Sequence, residues 1–126
     1  MTWATLLVIF VGGGAGAACR YGAGRFVGAR YTGTFPLGTF LINVTGCLAL
    51  GFLSGALTAL HRDVAVPTAL LATGFLGGYT TFSTYALEGV LLYKDGRARL
   101  ALYTLLGSVV AGLLAAALGA ALARLV

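Results

Sequence analysis

The sequence predicts an all-α membrane protein with four transmembrane helices, the third of them broken mid-membrane. Three observations carry that prediction. First, 60% of the 126 residues are hydrophobic and only 9% are charged, with a mean hydropathy of +0.99, whereas soluble domains are about 25% charged. Second, the charges leave long gaps. Residues 2–19, 31–60, 64–87 and 100–123 carry none, and crossing the hydrocarbon takes about 20 residues. Third, the block 64–87 contains GFLGGYTTFSTY (74–85), rich in glycine and hydroxyl side chains where a continuous span would carry Leu and Val. The runs do not alternate apolar and polar residues, so a transmembrane barrel is not indicated.

The first span is expected over roughly 3–28, with Arg20 and Arg25 late in it. No Lys or Arg precedes its apolar run, so it reads as a span and not as a cleaved signal peptide. A short loop around ARYTGTFP leads to Pro36, which suits the first turn of the second span. That span runs to about Leu60, HRD (61–63) makes a polar turn, and Pro67 opens the third. KDGRAR (94–99) separates the third span from the fourth. Residues 1–126 thus read as one four-span domain with sequential helices antiparallel and both termini on the same side.

Glycine is abundant, at 20 residues. Gly12/Gly16, Gly24/Gly28, Gly51/Gly55 and Gly74/Gly78 have GxxxG spacing, which lets helix backbones approach closely in lipid. So much small-residue surface predicts a dimer or a paired subunit. Arg20, Arg25, Arg30, Lys94, Arg97 and Arg99 lie at one end of the spans, against Arg62 and Arg124 at the other. The bias favours loops 1 and 3 in the cytoplasm and the termini outside. The net charge of +5 therefore reads as interfacial anchoring and topology, with no nucleic-acid partner. Cys19 and Cys47 lack metal-ligand spacing and read as small packing residues.

Polar side chains at membrane depth face protein or water and often mark a pathway. Asn43 lies mid-span in LGTFLINVTG, with Thr39 one turn before it on the same face. Burying an unpaired amide costs ~4–8 kcal/mol on a cyclohexane scale, so Asn43 is expected either to clamp another helix or to meet a permeating species. Gly77-Gly78 together cost roughly 2 kcal/mol of helix propensity relative to alanine, which predicts a break there, the alternative being an unbroken helix with a GxxxG contact. The freed carbonyls would hold a cation, and the next helix N-terminus would attract an anion. Thr80 or Thr81 would cap that second half. Phe82 and Tyr85 share a face of it. On spacing alone, core packing is the commoner use of such a pair. No catalytic motif is present and His61 stands alone, so no enzyme activity is expected. A small multidrug exporter of dual topology would need a buried Glu in the first span, and residues 2–19 have none. A purely structural membrane subunit would explain the glycine spacing but not the hydroxyl-rich stretch.

With GGGAGAACRY (12–21), PLGTFLIN (36–43) and GFLGGYTTFSTY (74–85), the chain resembles, end to end, the Fluc (CrcB) family of fluoride channels. The resemblance implies a passive exporter of fluoride in the bacterial inner, or plasma, membrane. It implies an antiparallel, dual-topology dimer, with a structural Na⁺ held at its interface by backbone carbonyls. By motif position those carbonyls are Gly77 and Thr80. Asn43, Phe82 and position 85 match the family's pore residues. Thr39, Ser83, Thr84, Tyr103 and Ser108 would extend the fluoride path, and Arg20, Gly78 and Thr81 would be structural. Position 85 departs from the pattern: it is Tyr where the family usually has Phe, which keeps the ring edge but adds a donor and bulk. The one-sided Lys/Arg bias also argues against two-way insertion of a single chain, so one half of a heterodimer is the alternative.

Overall fold

The computed structural model describes residues 2–59 and 68–125. Helix α1 (Trp3–Gly28) opens on Thr2, whose hydroxyl accepts from the Thr5 amide at 3.2 Å, the side-chain cap that an N-terminus needs. It continues unbroken past Arg20 and Arg25. Helix α2 (Leu37–Ala59) begins just after Pro36, whose carbonyl accepts the Phe40 amide at 3.0 Å. The expected polar turn at 61–63 and the helix start at Pro67 lie outside the described residues. Helix α3 consists of π-helical turns over Ala69–Leu76 followed by one α-helical turn, Gly77–Tyr79. Helix α4 (Phe82–Lys94) follows after two extended residues. Helix α5 (Ala98–Leu122) ends in a 3₁₀ turn, Ala123–Leu125. The turn between α4 and α5 uses the left-handed conformation of Gly96, at φ 75°. The next amide, of Arg97, reaches back to Leu92 O at 2.9 Å and satisfies a carbonyl of the helix end.

Three helical stretches are long and apolar enough to cross a membrane: Trp3–Gly28, Leu37–Thr58 and Ala98–Leu125. The remaining apolar block is shared by α3 and α4. The described residues are all helix, turn or extended connection, which fits four helical spans and a multi-pass membrane protein. Few side chains are buried, among them Ile42, Leu76, Leu92 and Thr104, while Trp3, Phe10 and Leu7 are largely exposed. An apolar exterior of this kind suits lipid or a partner as its surroundings.

Glycines set how the helices meet. A Cβ added at Gly51 would strike the Ala116 carbonyl, and one at Gly119 the Leu48 carbonyl, so α2 and α5 approach backbone to backbone. A Cβ at Gly16 would strike the Phe75 carbonyl and one at Gly78 the Gly13 carbonyl, so α1 and α3 do the same. The pairs Gly12/Gly16, Gly51/Gly55 and Gly74/Gly78 are therefore spent inside the chain, and only Gly24/Gly28 faces open space. This is the close backbone approach that the GxxxG spacing predicts.

Candidate functional site: the Thr80–Thr81 segment and its two cavities

Helical dihedrals persist through the glycines, since Gly77 has φ −62° and ψ −37°. The chain becomes extended at Thr80 (φ −77°, ψ 162°) and Thr81 (φ −147°, ψ 118°). Extended dihedrals thus begin three residues after Gly77, and the two glycines themselves stay helical. Gly78 is needed for the close approach of α1, not for backbone freedom. β-Branched Thr tolerates extended dihedrals well, and an N-cap residue adopts them by nature.

Two extended residues interrupt the helical bonds, and side chains from α1 and α2 replace them. Arg20 Nη1 donates to Thr80 O at 2.9 Å. Asn43 Nδ2 donates to Thr81 O at 2.9 Å, and Thr81 N donates to Asn43 Oδ1 at 2.8 Å. The amide orientation of Asn43 follows from this pairing, because an N–H must face an oxygen and a C=O a donor. Thr81 Oγ1 accepts from Thr84 N at 3.2 Å, capping α4, and donates to Thr84 Oγ1 at 3.0 Å. Ser83 Oγ lies 3.4 Å from Thr81 Oγ1. Asn43 is therefore a clamp, and the second proton of its Nδ2 has no partner among the described residues.

That amide borders a cavity of about 450 Å³ whose wall is mostly apolar. Phe82, Tyr85, Ser108, Cys47, Gly77 and Thr80 also line it. The Phe82 and Tyr85 rings are 5.6 Å apart and inclined at 49°, within the range of favourable aromatic pairs. Phe82 is 80% exposed at the rim. A second cavity, of about 540 Å³, is lined by Arg20, Tyr21, Arg25, Thr39, Thr84 and Glu88, among others. Thr39 Oγ1 donates to Glu88 Oε1 at 2.9 Å, and Glu88 Oε2 is buried with no partner among the described residues. Among the described residues, Thr81 alone borders both cavities. Asn43, Phe82, Tyr85 and Ser108 thus come together on one side of the segment, and Thr39, Thr84 and Arg20 on the other. Ser83 and Tyr103 line neither cavity, and Tyr103 is 70% exposed.

Glu88 is a site residue that the sequence reading does not single out. Thr81, Thr84 and Glu88 fall at i, i+3 and i+7, one helical face, and that spacing was the available signal. The contact of Arg20 with Thr80 O had no signal in local spacing.

Over residues 7–120 the chain matches the family described as CrcB-like protein, Camphor Resistance (CrcB). The chain belongs to this CrcB-like family. Among its relatives, a fluoride-specific ion channel FluC 2 of Brucella abortus biovar 1 (strain 9-941) is 44% identical, covering 99% of this chain and 98% of the relative. The fluoride-specific ion channel FluC of Hydrogenobaculum sp. (strain Y04AAS1) is 47% identical over 90% and 92% of the two chains. The FluC 2 of Rhodococcus jostii (strain RHA1) is 48% identical over 91% and 95%. These CrcB-like relatives are named for ion conduction, which is no class of enzyme.

The CrcB-like resemblance assigns a Na⁺ to the Gly77 and Thr80 carbonyls, and the donor set fits such an ion. In a continuous helix Thr81 N would bond Gly77 O; here it bonds Asn43, releasing that oxygen. Thr80 O holds Arg20 and keeps a second lone pair. Neutral carbonyl oxygens suit a hard cation.

Proposed function

We propose that this chain is a subunit of a fluoride channel of the cytoplasmic membrane, letting fluoride leave the cell passively. The observation that carries the reading is the Asn43–Thr81 clamp, which leaves an amide proton beside a cavity edged by Phe82 and Tyr85. The names of relatives 44–48% identical over nearly the whole chain support fluoride as the ion. α3 and α4 would be the halves of one span interrupted mid-bilayer, with Thr80–Thr81 at the interruption.

In this reading fluoride sheds water between the two cavities. The spare Asn43 proton, the Thr84 and Ser108 hydroxyls and the positive ring edges replace that water. Each is a neutral donor, so binding stays reversible, as conduction requires. The arginines of the second cavity raise the local anion concentration. A Na⁺ on the Gly77 and Thr80 carbonyls of two subunits would add positive potential at the interface. The functional unit is an antiparallel dimer. A heterodimer with a related, oppositely oriented chain is the second reading, favoured by six of the eight basic residues lying at one end.

The test is fluoride-electrode efflux from proteoliposomes. Fluoride efflux without chloride efflux from the purified chain supports the homodimer. Efflux appearing only on co-expression with a related chain supports the heterodimer. No fluoride efflux in either preparation, with insertion verified, overturns the channel reading.

A further inference from the structure

Position 85 is where the chain departs from the family pattern, and its added hydroxyl has a definite partner. Tyr85 OH donates to the main-chain carbonyl of Leu105 at 2.7 Å, joining α4 to α5. A phenol has one proton to donate, and this one is spent on the protein. Phe82 has no polar atom, is largely exposed, and contacts the Tyr85 ring. The orientation of Phe82 thus leans on Tyr85, and that of Tyr85 on Leu105. Ser108 follows Leu105 by three residues on α5 and lines the same cavity as both rings.

We infer that Tyr85 is a positioning residue whose hydroxyl tethers the aromatic pair to α5, and is not itself a ligand of the anion. The tether holds the ring pair against the wall that carries Ser108. It leaves ring edges, and no phenol proton, for the ion. The role rests on the reading of this cavity as the fluoride path. A freed ring would rotate about its side-chain torsions, and the pair would lose its fixed angle.

The experiment compares fluoride efflux through wild type, Tyr85→Phe, Phe82→Ile and the double variant, at matched protein in liposomes. Tyr85→Phe keeps the ring and removes only the hydroxyl, so folding is preserved. Its efflux is expected to fall about three- to tenfold, the scale of one hydrogen bond. In the Phe82→Ile background the same change is expected to cost less than about twofold, since two residues acting through one contact are not additive. In parallel, 3-fluorotyrosine is placed at position 85, and its ¹⁹F resonance is expected to stay fixed as fluoride is added. Wild-type efflux from Tyr85→Phe, equal losses in both backgrounds, or a resonance that moves with fluoride overturns the tether. Wild-type efflux from Phe82→Ile instead overturns the pathway reading beneath it, so the two failures are told apart.

Discussion

Helices α2 and α3 carry the same glycine spacing and use it alike, yet only α3 leads into a site. Gly51 and Gly55 of α2 press against the backbone of α5, and Gly74 and Gly78 of α3 press against that of α1. Both pairs shorten the distance between helices. What differs is the sequel. α2 continues in regular helix to Ala59, whereas α3 ends at Tyr79 and two threonines run extended before α4. The polar groups released there recruit Arg20 and Asn43. The comparison teaches that glycine spacing sets proximity, and that unsatisfied backbone plus a side-chain partner makes a site.

The strongest way to break this contrast is Asn43→Asp. It removes the donor to Thr81 O and places a negative charge beside the cavity. An unpaired buried carbonyl costs about 1–3 kcal/mol, and repulsion of the anion adds to it. Fluoride efflux is expected to fall about 100-fold or more, with the dimer intact by cross-linking. Normal efflux would remove Asn43 from the path. Next in size is Gly51→Ala, on the side with no site. The new methyl meets the Ala116 backbone, and overpacking costs about 1–3 kcal/mol. A lower melting temperature in detergent is expected, and an unchanged one would mean that α2 and α5 are not in close contact.

Phe82→Ile is expected to be milder, reducing efflux about two- to tenfold through loss of a ring edge and of an aromatic pairing worth roughly 0.5–1.5 kcal/mol. Wild-type efflux would confine Phe82 to packing. Gly24→Ala sharpens the comparison from below. A Cβ there meets nothing within 4 Å in this chain, and a surface change of this size is typically within about 0.5 kcal/mol. A large fall in dimer population would place a partner against Gly24.

The legible parts of the molecule were those written in local chemistry. Charge gaps mark apolar blocks directly, because a charge inside hydrocarbon is costly. Asn43 stood out for the same reason. The position of the extended residues was less legible. Gly77-Gly78 has the weaker helix propensity, but α1 packing keeps it helical, and Thr80–Thr81 extends instead. Glu88, Arg20 and the carbonyl of Leu105 entered the site from residues 49, 60 and 20 positions away from their partners, distances at which spacing rules carry no information.

By itself, then, the sequence determined the helical class, the number of apolar blocks and a short inventory of polar groups too costly to bury unpaired. Those depend on composition along the chain, and the bilayer's lack of hydrogen bonds makes the inventory binding. Only the tertiary structure decided which partner each polar group takes. Asn43 was open between a clamp and an ion contact; the approach of α2 to the Thr81 backbone fills its oxygen and one of its two amide protons. The Tyr85 hydroxyl was a free donor in the sequence, and α5 at hydrogen-bond distance makes it a strut.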